Sequence, residues 1–481
     1  MSPTFARGLY WVSASMILGR SARILSLFIL AGLLPAEDFG RYAALWVVVD
    51  GLLLLQGFGI GHSLVIDRSN NDESTDSVFA ISVTLGLALS LIGIAGAGLI
   101  ESITGMQGIA AAFRVACLVV LLQGLLLVPA RLFDRELDFQ KRFLPAITSS
   151  TGYLIVAVSL AYRGFGLWAL VIGEVASFAL EAATYWLLTP RKPRFRVRMD
   201  FVRQHLTFGW AVFGGTVLIY LIRSIDKFAI SRGPGAAELG VFAFALSIAL
   251  LPASVLTRMI NGVLFPHYAA SETQEARNEL FLSATRVMVG LGICFAVVLI
   301  LFGGFLLETF YGNKWEAAVV PLAILAILGL FRTLTALLSD LYVGSGRPGL
   351  FRAMTMIQLV VAAVGLLLLP VPGAVPVAVV MAVAGGVAVM AGFLIARARI
   401  RFAVRPFFAC LRAPVIAAAV PIALWAAARA MPQYTGIAAP ALALLLGTCG
   451  YLACWIALDR ETRALLQGAL RGFAGAERRP S

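Results

Sequence analysis

Ionisable side chains are scarce in this 481-residue chain: Asp, Glu, Lys and Arg make up 13% of it, hydrophobic residues make up 60%, and the mean hydropathy is +0.92. A soluble domain of that size cannot keep so much apolar surface away from water, so lipid must be the solvent for most of the chain. Strand-like alternation of polarity is lacking as well. Runs such as Ile81 to Ile100 are continuously apolar, which excludes a membrane barrel built from alternating strands and leaves spanning helices of about 20 residues. Long polar connections are absent: none exceeds about twenty residues, which leaves no room for an extramembrane catalytic domain.

Reactive residues are few. The five cysteines (Cys117, Cys294, Cys410, Cys449, Cys454) all fall in apolar runs without metal-site spacing and are expected to be small core residues. The three histidines (His62, His205, His267) fall near helix ends, where an interfacial role is expected rather than a proton relay. No HExxH and no nucleophile elbow is present, so nothing points to an enzyme and no cofactor is implied. The first apolar run is broken by Arg20 and Arg23 and lacks a cleavage site, so it is expected to stay as the first spanning helix.

What is present is a repeat. The stretch from Arg23 to Ala43 returns two hundred positions later as Arg223 to Ala243, without a gap. Arg23 meets Arg223, Phe28 meets Phe228, Ala36 meets Ala236, Gly40 meets Gly240 and Ala43 meets Ala243, while Asp38/Glu238, Phe39/Leu239 and Tyr42/Phe242 are conservative pairs. Cutting the chain at charge clusters and Gly/Pro turns predicts fourteen helices. They lie near 8–34, 42–66, 77–100, 109–130, 143–163, 166–188, 205–231, 237–264, 282–310, 316–343, 349–371, 373–396, 406–429 and 435–458. The expected fold is all-α and polytopic: two six-helix lobes (1–200 and 201–400), then helices 13 and 14 with a basic tail (401–481). An even number of helices per copy gives the two lobes the same orientation, related by an axis along the membrane normal.

Basic residues gather in alternate loops, at Arg131 to Arg142, Arg191 to Arg203, Arg397 to Arg405 and Arg460 to Arg479. That asymmetry predicts cytoplasmic termini and accounts for the net charge of +13 through topology and anionic lipid, with no soluble basic domain for nucleic acid. The acidic loop Asp67 to Asp76 breaks the pattern and is expected to be a solvated turn. Gly57, Gly59 and Gly61 sit inside a membrane helix and are expected to serve close helix packing rather than phosphate binding. The run 344–349 (GSGRPG) reads as a turn and a hinge.

Nine charges fall within the apolar runs: Arg20 and Arg23 in helix 1, Asp50 in helix 2, Glu174 in helix 6, Arg223, Asp226 and Lys227 in helix 7, Arg258 in helix 8 and Arg332 in helix 10. Each costs about 2.5 to 3.5 kcal/mol if it faces lipid, so they are expected to line a wet interior. Arg223, Asp226 and Lys227 share a face, and Arg223 with Asp226 is the simplest ion pair. Six cations against three anions leave a surplus, which points to an anionic ligand, and Arg in particular suits phosphate. Arg23 and Arg223 are expected to confront each other between the lobes, where transporters of this build hold their substrate.

The block GRSARILSLFILAGLLPAEDFGRYAALWVVVDGLLLLQGFGIGHSLV from Gly19, with RLFDRELDFQKRF at 131–143, IRSIDKFAISRGPGAAELGVFAFA at 222–245 and VLFPHYAASE at 263–272, resembles the polysaccharide transporter family. These are the Wzx-type oligosaccharide flippases of the multidrug/oligosaccharidyl-lipid/polysaccharide exporter superfamily. The resemblance covers about residues 8 to 400. It implies two lobes that open alternately and a cargo of oligosaccharide on undecaprenyl pyrophosphate, moved from the cytoplasmic to the periplasmic leaflet of a bacterial inner membrane. It also implies work beside a polysaccharide polymerase and chain-length machinery. In the related lipid II flippase, arginines of helices 1 and 8 face the cavity; Arg20, Arg23 and Arg258 occupy those helices here. Arg20, Arg23, Arg223, Lys227, Arg258 and Arg332 are thus expected to bind pyrophosphate, and Asp50, Glu174 and Asp226 to couple ions. The alternatives are a multidrug and toxin antiporter with the same lobes and, from another class, a membrane polysaccharide polymerase or ligase.

Overall fold

The computed structural model describes residues 3–57, 64, 72–136, 139–233, 235–270, 273–370, 373–400, 404–430 and 437–464, without the side chains of 3–17, 134–136, 139–140, 142, 202–212, 255–270, 274–277 and 404. Among them every regular element is helical, as apolar runs require in a solvent that cannot satisfy open backbone groups. The first part of the chain forms α1 (Pro3–Leu33), α2 (Ala36–Gly57), α3 (Asp72–Ala95), α4 (Ala97–Thr104), α5 (Ile109–Ala116), α6 (Leu118–Glu136), α7 (Phe139–Tyr162) and α8 (Leu167–Leu188). The irregular segment 189–198 leads to α9 (Met199–Ser231) and α10 (Ala236–Ala270). Then come α11 (Gln274–Tyr311), a 3-10 turn (Gly312–Ala318), α12 (Val319–Gly344), α13 (Pro348–Leu367), α14 (Ala374–Ile400), α15 (Val404–Ala417), α16 (Ala419–Ala430) and α17 (Ala438–Leu458).

Each of the expected helices has a counterpart, and three of them are broken. The third divides at Gly96 into α3 and α4, the fourth at Cys117 into α5 and α6, and the thirteenth at Ala418 into α15 and α16, four residues after Pro414. Proline has no N–H to give to the preceding turn, so a helix weakens there. Ten described stretches are long and apolar enough to cross a membrane.

Two compact units emerge: Met1–Ala243 with Val371–Gly373, and Phe244–Pro370 with Ala374–Ser481. Helix α9 and the first two turns of α10 thus pack within the first unit, against the helices of the first repeat. Small residues let the backbones approach there. Ser82 on α3 donates to the Gly124 carbonyl on α6 at 3.0 Å and accepts from Gln56 Nε2 on α2 at 3.0 Å. Tyr220 on α9 lies over Gly51 and donates to the Val47 carbonyl of α2 at 2.9 Å.

The repeat residues meet each other. A Cβ on Gly40 would overlap the Ala236 carbonyl, and a Cβ on Gly240 would overlap the Ala36 carbonyl, so α2 and α10 cross reciprocally through two Ala-x-x-x-Gly motifs. Small residues four apart allow such a crossing, since larger side chains would hold the backbones apart. Buried Asp38, just before Gly40, accepts the Leu167 N–H that opens α8.

In the second unit, Phe281, Met288, Leu337, Tyr342, Met354 and Phe393 form the main core, with the Tyr342 hydroxyl donating to the Gly392 carbonyl at 2.5 Å. Helix α17 is joined to α11 by Tyr451, which donates to the Gly290 carbonyl at 2.8 Å, while Trp455 lies against the same glycine. Gly346, at φ +71°, makes the turn between α12 and α13, and the Arg347 guanidinium donates to the Arg399 carbonyl.

Three expectations change. Cys117, Cys294 and Cys410 are buried, whereas Cys454 is half-buried and Cys449 is exposed, because α17 packs on one face only and a helix in lipid needs no cover on the other. Gly57 has open space where its Cβ would be, so it serves no close packing; Gly59 and Gly61 lie outside the described residues. The acidic segment, as far as it is described from Asp72 on, is the first turn of α3, with Asp76 and Ser77 buried rather than solvated.

Candidate transport site in the first unit

Two constellations at membrane depth gather most of the expected charges of the first unit. The first centres on Arg23, at the middle of α1. Its Nη1 donates to Glu174 Oε1 at 2.6 Å, and its Nη2 donates to Glu174 Oε2 at 3.1 Å and to Ser177 Oγ at 2.9 Å. The guanidinium also lies 4.2 Å from the centre of the Tyr153 ring on α7. Tyr42 on α2 donates to Glu174 Oε1 at 3.1 Å. A planar fork on a carboxylate, stacked on an aromatic face, uses everything a guanidinium offers.

The hydroxyls extend this network along α7 and α8. Ser149 lies 2.9 Å from Ser177 and donates to Glu181 Oε2 at 3.4 Å, while Thr148 lies 3.0 Å from Thr184. Ser177 stands three residues after Glu174, on the same face of α8, which is why one guanidinium reaches both. Glu174 is nearly closed off, with its side chain 10% exposed, against 35% for Arg23. A carboxylate that deep needs its partner, since an unpaired one would have to give up its charge.

The second constellation joins α9 to α2. Arg223 and Lys227 lie within electrostatic reach of Asp50, which also feels Glu174 and so connects the two groups. Lys227 Nζ donates to the Arg223 carbonyl at 2.5 Å and stands 3.6 Å from Asp226 Oδ1. Asp226 is fully buried: its Oδ1 accepts the Lys227 N–H at 2.7 Å, and its Oδ2 has no hydrogen-bond partner. Arg223 is exposed.

The expected Arg223–Asp226 pair is therefore replaced by Lys227–Asp226, because the Arg223 carbonyl draws the Lys227 ammonium back along α9. Arg23 is likewise engaged in an ion pair, with Glu174. Within this belt Arg23, Arg223 and Lys227 stand among Glu174, Asp50, Asp226 and Glu181, so its described residues show no cationic surplus. Arg20 is half-buried on α1, and Arg332 is half-buried on α12 in the second unit. The side chains of Arg258, His205 and His267, and all of His62, lie outside the described residues.

Tyr42, Ser149, Tyr153, Ser177 and Tyr220 are the partners that sequence reasoning missed. Tyr42 offered a signal, because the repeat pairs it with Phe242 and only the first copy has the hydroxyl. The run SSTGY at 149–153 is a second signal, a polar face within an apolar helix.

Residues 29–320 match the family described as polysaccharide biosynthesis protein. The succinoglycan biosynthesis transport protein ExoT of Rhizobium meliloti (strain 1021) is 25% identical over 330 residues, a match that spans 67% of this chain and 66%, about two thirds, of that protein. The fold is similar to that of the lipid II flippase MurJ in its inward closed conformation, with a TM-score of 0.79 at 15% identity over 94% of this chain and 99% of that one. It is also similar, with a TM-score of 0.57 at 20% identity, to an outward-facing multidrug resistance MATE family transporter of the MOP superfamily, over 82% of this chain and 95% of that one. Matched over more than half its length, with the multi-pass helical fold such transporters have, this chain belongs to the polysaccharide biosynthesis protein family.

Proposed function

We propose that this protein moves an oligosaccharide carried on a prenyl pyrophosphate, undecaprenyl pyrophosphate in a bacterial inner membrane, from the cytoplasmic to the periplasmic leaflet. The observation that carries the reading is the polar belt at Asp50, within reach of both an exposed arginine, Arg223, and the carboxylate that holds Arg23. A pyrophosphate entering there finds Arg223 and Lys227 first. Arg23 joins when the anion competes with Glu174. Water-sized polar groups replace the hydration shell of the headgroup while the prenyl chain stays in lipid.

The two repeats act as lobes that rock about the bound headgroup, with both termini on the cytoplasmic side, where the basic loops lie. An interior-negative potential favours outward movement of an anion by about 2.3 kcal/mol per charge per 100 mV, so no nucleotide is required. Asp50, Glu174 and Asp226 are the groups through which an ion gradient couples, and a polymerase with its chain-length machinery takes up the product. The name of the succinoglycan transport protein supports surface polysaccharide as the destination. The multidrug antiporter is the weaker reading, since its fold accounts for 82% of the chain and that of the lipid II flippase for 94%.

The test is transport in proteoliposomes loaded with a labelled prenyl-pyrophosphoryl sugar, scored by accessibility to an enzyme added outside. Flipping that rises with an imposed potential is the expected result. Proton-coupled efflux of a cationic drug with no movement of the prenyl-linked sugar would overturn the proposal.

A further inference from the structure

The segment between α8 and α9, residues 189–198, is irregular and is fastened to the first two turns of α3. The Arg194 N–H donates to Asp76 Oδ1 at 2.8 Å, the Arg198 N–H donates to Ser77 Oγ at 3.1 Å, and both acceptor residues are buried. Arg191 pairs with Asp72, and Arg198 pairs with Glu73 and lies over the Phe201 ring. Exposed pairs like these contribute little, so the two backbone bonds and buried Pro193 are what fix the strap.

Once fastened, the strap turns a specific set of side chains outward. Lys192, Arg194 and Arg196 are exposed and have no ion pair among the described residues. Between and beyond them stand Phe195, Val197 and Met199, 63%, 50% and 74% exposed. A tight turn, closed by the Arg196 N–H on the Arg194 carbonyl at 3.0 Å, lies within this stretch, so basic and apolar side chains alternate along one exposed segment. The strap begins where α8, a helix long and apolar enough to cross a membrane, ends at Leu188, so its start lies close to the hydrocarbon boundary.

We infer that this strap is a docking surface for anionic phospholipid of the leaflet it adjoins. Lys192, Arg194 and Arg196 meet the headgroup phosphates, and Phe195, Val197 and Met199 enter the acyl region. Charge complementarity selects this occupant, since exposed cations interleaved with exposed apolar side chains match an anionic interface, where each nearby cation contributes about a fivefold gain in affinity. Lipid held there would also anchor the segment that joins the two repeats.

The experiment uses the purified full-length protein in detergent, with phosphatidylglycerol and phosphatidylcholine competing for it and retained lipid counted by native mass spectrometry. Wild type is expected to prefer phosphatidylglycerol. Lys192→Gln/Arg194→Gln/Arg196→Gln should lower that preference by about a hundredfold, and Arg196→Gln alone by about fivefold, which keeps the inference testable if the triple variant does not fold. Phe195→Ser/Met199→Ser should weaken retention of both lipids alike. A preference unchanged in the folded triple or single variant overturns the inference and leaves the strap to a soluble partner. Loss of undecaprenyl pyrophosphate binding with phosphatidylglycerol binding intact also overturns it, and assigns these cations to the cargo.

Discussion

Arg23 and Arg223 hold the same place in the two copies of the repeat, yet they live differently. Arg23 is gripped by Glu174, Ser177 and the Tyr153 ring, whereas Arg223 is exposed and lies within electrostatic reach of Asp50. The neighbouring pair differs in the same sense. Tyr42 gives Glu174 a further hydrogen bond, while its counterpart Phe242 is an apolar ring fully buried in the core. The first copy has become a braced polar network, and the second has kept an exposed arginine. Duplication supplied two like positions, and divergence of their partners left one arginine paired and the other exposed.

The comparison breaks most directly at the point where the two copies touch. Gly40→Val should drive a side chain into the Ala236 carbonyl and cost about 3 kcal/mol or more, and Gly240→Val should cost as much against Ala36; thermal unfolding of the purified variants measures both. An unequal effect would show that the reciprocal crossing matters to one copy alone. Next in size, Glu174→Gln leaves Arg23 without its carboxylate and should cost about 2 kcal/mol, reduced from the fully buried case because a third of Arg23 reaches solvent. Arg23→Gln made in the same chain should recover most of that loss, and a double-mutant cycle in thermal unfolding reads the coupling.

Arg223→Ala should leave the melting temperature close to wild type and lower flipping in proteoliposomes at least tenfold, about 1.4 kcal/mol. The reverse pattern, a fall in stability with transport intact, would remove Arg223 from the site. The smallest effect belongs to Tyr42→Phe, which makes the first copy resemble the second. Loss of one hydrogen bond to Glu174 should cost about 1 kcal/mol in the same unfolding measurement.

The helices were legible in the sequence because a bilayer demands runs of apolar residues of fixed length, and Phe139–Tyr162 and Leu167–Leu188 lie within a few residues of where composition puts them. The charges at depth were legible as a set, since each stands out against its run. Their pairing was not. Arg23 and Glu174 are 151 residues apart, and the contact depends on how α1 and α8 turn about their axes when they pack. The acidic segment at Asp72 to Asp76 read as a solvated turn for the same reason: the strap that uses Asp76 lies 118 residues further on.

By itself the sequence determined that this chain lives in lipid, that it is helical and that it is a tandem duplication, because hydropathy and an ungapped repeat are properties of the chain alone. Only the tertiary structure decided which cation each carboxylate neutralises and which is left open. Ion pairs form over a few ångströms in space, and no local pattern carries that distance.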